Sequence, residues 1–246
     1  MRPTQRGPML RVGHKGADLI VPGNTRASFD AALAAGVDMI EFDVLRERRN
    51  PNRTGRRAKQ GELLLAHDFQ HEAQLTLAEG LDHLSGDEFS QLGFNVDLKM
   101  PGYEAQVVEM LRERELEARV LISSTYRLSL AAIRREATDI RVGWSVPNLT
   151  VDPFREALTL PAAFAGMLAA RAVLPSRAAG AIRSGACHAL MAHWRLVTPR
   201  LVRAISRAGG ELYVWTVDDL TRIRWLDALG VTGVISNDPR LFATAV

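Results

Sequence analysis

Glu41 and Asp43 stand two residues apart in the apolar stretch MIEFDV, Met39–Val44. Residues i and i+2 of a strand share a face, so the two carboxylates point the same way. Burying an unpaired carboxylate is costly, and two together call for a cation or a cationic partner. Hard divalent cations such as Mg²⁺ and Ca²⁺ take oxygen ligands of this kind. Taken alone, the pair is accounted for equally well as a solvated strand end or a salt bridge to arginine.

Other chemistry-bearing residues fall at the ends of apolar runs. His14 and Lys15 follow MLRVG; His67 and Asp68 follow ELLLA; Asp97 and Lys99 lie in LGFNVDLK. Trp215 lies in ELYVWTV and Asp218 follows it, and Ser236, Asn237 and Asp238 follow TGVI. Three carboxylates (Glu41, Asp43, Asp97) can hold one hard divalent cation and leave positions for substrate oxygens. The cation and a lysine neutralise a phosphate. Two histidines, one as base and one as acid, can then serve the attacking and leaving oxygens. That is a phosphodiester-cleaving layout without a covalent Ser or Cys nucleophile.

The elements that must bring these residues together read as alternating strands and helices. The strand segments are Met9–Gly13, Val37–Val44, Leu92–Lys99, Arg119–Ser123, Arg141–Ser145, Cys187–Ala192, Glu211–Val217 and Thr232–Ser236. They are short and apolar, as expected when both faces are buried. Helices are predicted over 25–35, 76–91, 103–117, 126–137, 153–170 (interrupted by Pro161), 199–208 and 220–229, while Arg171–Gly185 fits neither pattern. Glu62–Ala66 reads as an additional strand returning from a polar tip, which would set His67 beside Asp43. Eight strand–helix units in a chain of 246 residues predict an α/β fold, the (β/α)₈ TIM barrel, as a single domain over residues 1–246. In such barrels the C-terminal strand ends form the active site, which is where these side chains fall.

Composition narrows the function classes. The chain is 47% hydrophobic and 24% charged, ordinary values for a globular protein. No apolar run approaches the roughly 20 residues of a membrane span, and the first residues lack an apolar leader segment, so a cytoplasmic location is expected. Cys187 is the only cysteine, which excludes a disulfide framework and a Cys-rich zinc site. Net charge is only +3, weak support for nucleic acid, and the acidic strand ends oppose that partner. Lys15, Lys59 and Lys99 are the only lysines among 31 basic residues, so two of three lie at the expected site. The Arg-rich segment Arg46–Lys59 reads best as a solvated loop, with contact to anionic lipid headgroups as its functional alternative. His71, His83, His188 and His193 have no partner pattern and read as structural. Trp194 fits pocket and core equally; Asn24 or Thr25 can cap the helix that follows, and for Asn24 capping is preferred over substrate contact.

Over nearly its whole length the chain resembles the glycerophosphodiester phosphodiesterase family. The resemblance rests on GHKG (Gly13–Gly16), the run Pro22–Val44, LLLAHD (Leu63–Asp68), NVDLK (Asn95–Lys99), LISST (Leu121–Thr125), YVWTVDD (Tyr213–Asp219) and GVISNDP (Gly233–Pro239), in that order. It implies a divalent-metal TIM barrel that splits glycerophosphodiesters into glycerol phosphate and an alcohol. It implies His14 and His67 as the acid–base pair, Glu41, Asp43 and Asp97 as metal ligands, Lys99 as the phosphate contact, Lys15 as a substrate-binding residue, and Trp215 as a wall of the substrate cavity. The chain departs from the family pattern in having Lys15 for Arg, Gly23 for Glu, Asp97 for Glu, and a short Asp68–Asp97 segment in which the usual small insertion is reduced or absent. The last two features are shared with sphingomyelinase D-like phospholipases, so activity on lysophospholipid or sphingomyelin-like substrates is the second expectation. An inactive phosphate-binding barrel is the third.

Overall fold

The polypeptide alternates strand and helix as its apolar spacing predicts. A computed structural model describes residues 7–47, 61–69, 73, 75–147 and 160–244. Parallel strands β1 (Leu10–Gly13), β2 (Met39–Arg46), β4 (Gly93–Leu98), β5 (Val120–Ser124), β6 (Arg141–Val146), β7 (Ala189–His193), β8 (Glu211–Trp215) and β9 (Gly233–Ser236) form the barrel wall. β1 pairs with both β9 and β2, and this closes the ring. The short β3 (Leu63–Leu65) runs antiparallel to the end of β2, with Val44 opposite Leu65. It is the predicted hairpin return. Of the segment expected to reach headgroups, Arg46 ends β2, and residues 48–60 lie outside the described residues.

Helices α1 (Arg26–Ala34), α2 (Leu77–Leu84), α3 (Glu104–Arg112), α4 (Arg127–Glu136), α5 (Leu160–Arg183), α6 (Pro199–Arg207) and α7 (Leu220–Leu229) cover the outside. Their starts follow local chemistry. Thr25 and Thr76 each close a capping box, with Ser28 and Glu79 as the reciprocal partners. Thr198 caps α6 ahead of Pro199 at its first position. Gly230, at φ 77°, ends α7 in the left-handed conformation that costs glycine least.

Three helix expectations are corrected. The segment Arg171–Gly185, unplaced by pattern, mostly continues α5, a 24-residue helix with Pro175 inside it. Its weak periodicity reflects many alanines, which suit both faces of a helix. Pro161 does not interrupt the helix over Leu160–Arg183, and the predicted 153–159 portion lies outside the described residues. The predicted 76–91 helix breaks after Leu84, and a 3₁₀ turn at Asp87–Phe89 follows. Between β3 and β4 the described residues carry only these two short helical pieces, so no insertion subdomain is seen among them.

Strand period two sorts the side chains. On β2, Ile40, Phe42 and Val44 point outward into the core beneath the helices. Val12, Met39, Leu121, Ala189, Met191, Tyr213 and Ile235 point inward and plug the lower barrel. The next inward positions above this plug include the polar Glu41, Asp43, Asn95, Asp97, Ser123 and Ser145, with Asp43, Asp97, Ser123 and Ser145 in the C-terminal halves of their strands. An apolar floor therefore carries a polar layer, and the site is built on barrel strands. No helix among the described residues is long and apolar enough to cross a membrane.

The barrel seam has its own clamp. Asp38, just ahead of β2, accepts from Arg11 N at 2.8 Å and from Arg11 Nε and Nη2 at 2.9 and 2.8 Å. Burial alone would raise the Asp38 carboxyl, but the Arg11 hydrogen bonds outweigh it and hold it below its ordinary 3.8. A depressed folded-state value gives stability that is fully present above 3.8 and lost as pH falls through the folded value. Asp38→Asn is thus expected to cost about 1–2 kcal/mol at neutral pH, and the difference from wild type should vanish at acid pH. Urea titrations at several pH values check this; a pH-independent difference would refute the ion-pair account.

Candidate active site

The acids come together through sheet register. Asp43 on β2 sits opposite Asp97 on β4, and Glu41 opposite Asn95. One carboxylate oxygen from each of Glu41, Asp43 and Asp97 lies within 4.8 Å of the others. Asp43 is fully buried, and Glu41 nearly so. Lys99, two residues beyond Asp97, places Nζ 2.6 Å from Asp43 Oδ1 and 2.7 Å from Asp97 Oδ2.

Electrostatics divides the acids. Burial, then the neighbouring Asp43 charge, pushes the Glu41 carboxyl well above its usual range. Burial acts the same way on Asp43, but the Lys99 ammonium, helped by His67, outweighs it and holds Asp43 well below. Burial would lower Lys99; Asp43, Asp97 and Glu41 together hold it above its ordinary value. One ammonium thus faces three carboxylates. Asp43 Oδ1 meets the Lys99 ammonium at 2.6 Å and, among the described residues, has no well-aligned hydrogen-bond donor. An all-oxygen donor set with surplus negative charge and an incompletely satisfied buried oxygen fits a hard divalent cation.

Each acid is braced. Asn24 Nδ2 donates to Asp43 Oδ2 at 3.1 Å, and Asp43 N donates back to Asn24 Oδ1 at 3.1 Å. Asn24 adopts φ 57°, a conformation that asparagine tolerates better than most residues. The cap of α1 is Thr25, so the reading of Asn24 as a cap is corrected; it is a brace for Asp43. Ser123 Oγ and Ser145 Oγ donate to Asp97 Oδ1 at 2.6 and 3.3 Å. Lys15 N donates to Glu41 Oε2 at 2.9 Å. The serines escaped sequence reasoning although serine at an inward barrel position was a visible signal.

The histidines flank the acids. His14 Nε2 is 3.8 Å from Glu41 Oε2, and His67 Nδ1 is 3.2 Å from Asp43 Oδ2. The His67 side chain is 55% exposed, and that of His14 only 18%. Burial pushes His14 below the ordinary imidazole value; Asp43 opposes this, while Lys15 and Lys99 reinforce it. Its imidazole is therefore neutral at neutral pH.

Lys15 lines a cleft beside the acids, and Trp215 packs against the inner plug of the barrel. Lys15 Nζ pairs with Asp18 Oδ2 at 3.3 Å beside a cleft of about 460 Å³. His67, Asn24, Gly23 and Ala73 also line this cleft. A Cβ at Gly23 would sit 2.5 Å from Asp18 Oδ1 and 2.6 Å from Lys15 Cβ. Asp18 thus occupies the space that a side chain at 23 would need, and Gly23 N donates to Asp18 Oδ1 at 2.9 Å. Trp215 ends β8 edge-on to His193 at 5.2 Å and is not among the residues lining the cleft. Trp194 stacks beneath Arg222, 3.7 Å from its ring centroid. His83 bonds Asp30, and His188 accepts from Val142 N, in keeping with structural roles.

A closed parallel barrel with carboxylates, a lysine and two imidazoles converging on its C-terminal rim is an enzyme-type (β/α)₈ barrel with a cation-ready centre. The profile of the glycerophosphoryl diester phosphodiesterase family matches residues 68–241, and the chain belongs to that family. A glycerophosphodiester phosphodiesterase of Caldanaerobacter subterraneus is 25% identical, with 96% of this chain and 97% of the relative aligned. Two solved structures share the fold. The glycerophosphodiester phosphodiesterase of Agrobacterium tumefaciens superposes with TM-score 0.65 at 19% identity, covering 96% of this chain and 99% of that one. An Oleispira antarctica phosphodiesterase in complex with its product sn-glycerol-3-phosphate gives 0.66 at 20% identity, covering 97% and 96%.

Proposed function

We propose that the chain is a phosphoric diester hydrolase that splits glycerophosphodiesters into glycerol phosphate and an alcohol. The observation that carries this reading is the flanking of three convergent carboxylates by His14 and His67, with Lys99 among them. Glu41, Asp43 and Asp97 would hold a divalent cation, and their oxygen-only set suits Mg²⁺ or Ca²⁺. When bound, the cation supplies Lewis-acid polarisation of the phosphoryl oxygens. Lys99 contacts the phosphate and offsets charge that develops on it. His14, neutral and buried, takes the proton of the attacking hydroxyl or water at Nε2. His67, exposed on the cleft and backed by Asp43, delivers a proton to the departing alcohol oxygen. Lys15 and Trp215 would bind the outer parts of the substrate.

The test is a substrate panel followed by ³¹P NMR, containing glycerophosphodiesters, lysophospholipids and sphingomyelin. Glycerol phosphate should appear, and EDTA should abolish turnover until Mg²⁺ or Ca²⁺ is restored. Full activity in EDTA would remove the metal assignment. One observation favours lysophospholipid as a second substrate class: Leu19, Ile20 and Phe69 are exposed on the loops after β1 and β3, with Leu19 at 61%. Acyl chains would find apolar partners there, and the same panel reports it as release of lysophosphatidate or its cyclic form.

A further inference from the structure

The two imidazoles are backed differently. His67 meets a carboxylate directly, whereas His14 Nδ1 lies 2.5 Å from Asn237 Oδ1. Asn237 is in turn held by Asp218. Its Nδ2 donates to Asp218 Oδ2 at 2.6 Å, and its backbone N to Asp218 Oδ1 at 2.7 Å. Ser236 Oγ donates to the same Oδ1 at 2.9 Å. These residues belong to the VDD and SND motifs after β8 and β9, which the proposed chemistry above leaves without a role.

Proton logic follows from the donor inventory. An ionised carboxylate only accepts, so the Asn237 amide must turn its NH₂ to Asp218 and its oxygen to His14. An amide oxygen also only accepts, so His14 must carry its proton on Nδ1. A neutral imidazole has one ring proton, and Nε2 is left unprotonated. Nε2 is the atom that faces Glu41 and the centre of the site.

We propose that Asp218 and Asn237 are positioning residues that lock His14 in the Nδ1–H tautomer and present a basic Nε2 to the reacting hydroxyl. The inference rests on His14 serving as the base. Packing does not require the relay. The backbone of His14 is held separately, through His14 N donating to Ser236 O at 2.8 Å and the pairing of Gly13 with Ser236. Asp218 is exposed, so altering it opens no cavity.

The tautomer can be read directly, without turnover. In long-range ¹H–¹⁵N spectra of the full chain with Mg²⁺, at pH about 8, above the ordinary histidine value of about 6.5, His14 should show a protonated Nδ1 and an unprotonated Nε2. The His14→Gln variant assigns the signal. Asp218→Asn keeps the shape but frees the amide of Asn237 to flip. It should introduce the Nε2–H tautomer and lower kcat several-fold with KM unchanged. Asn237→Leu removes the acceptor and should lower kcat by about 10- to 100-fold, a share of the 10²–10⁴ that acid–base catalysis contributes. An Nε2–H tautomer in the wild type overturns the proposal. So does Asp218→Asn with wild-type tautomer and kcat. If Asn237→Leu fails to fold, the wild-type spectrum and Asp218→Asn still decide. Silence across the substrate panel would overturn the functional reading, while the spectra would continue to decide the tautomer lock.

Discussion

Truncating His67 to alanine is expected to lower kcat by about 10²–10⁴-fold while leaving the melting temperature close to wild type. The magnitude is the usual contribution of a positioned acid–base group. The separation from stability follows from burial. More than half of the His67 side chain is exposed, so its removal opens no core cavity. In the acidic centre it contacts Asp43 Oδ2, which keeps Asn24 Nδ2 as a donor when the imidazole is gone. His14→Ala should give a comparable loss of kcat with a different stability profile. His14 is largely enclosed, and its loss leaves Asn237 Oδ1 without its partner, so a drop of about 1–3 kcal/mol is expected. Steady-state kinetics with thermal melts on both variants checks the pair. Wild-type turnover in either variant would remove that residue from the mechanism. Loss of activity only in step with loss of folding would reduce it to a structural part.

The site was legible in the sequence wherever period two and a hairpin suffice to place a side chain. Glu41 and Asp43 share a face because they are two apart, and Asp97 meets them because β4 pairs with β2 in register. His67 reached Asp43 because the Glu62–Ala66 run could only return along β2. What stayed hidden depends on loop conformation rather than spacing. Asn24 serves Asp43 instead of α1 because its left-handed backbone turns the amide inward and leaves capping to Thr25. Asp218 and Asn237 lie beyond the strand ends, where alternation no longer says which way a side chain points. Their mutual bonds are decided by the turn geometry after β8 and β9. The fate of Arg171–Gly185 was hidden for another reason: an alanine-rich helix shows no apolar stripe to recognise.

Lys99→Met is expected to separate cation binding from catalysis. In the wild type the ammonium contacts Asp43 Oδ1 and Asp97 Oδ2, two of the three groups assigned to the cation. Lysine and divalent cation therefore compete for the same negative charge in the free enzyme. Removing the ammonium leaves Glu41, Asp43 and Asp97 facing one another without a lysine counter-charge. Breaking a buried pair in this way costs about 3–5 kcal/mol. A cation at 100 times its Kd returns about 2.7 kcal/mol, so it should recover much of that loss. The variant should accordingly melt well below wild type in EDTA and show a larger rise in Tm on adding Mg²⁺ or Ca²⁺. Turnover should nevertheless stay down by about 10²–10³-fold at saturating cation, the scale for losing one group that stabilises transition-state charge. Melts in EDTA and across a cation titration, paired with kcat, give both readings. Equal cation-induced shifts in variant and wild type would refute the competition. Near-normal turnover at saturating cation would mean that the sole task of Lys99 is to hold the acids together until the metal binds.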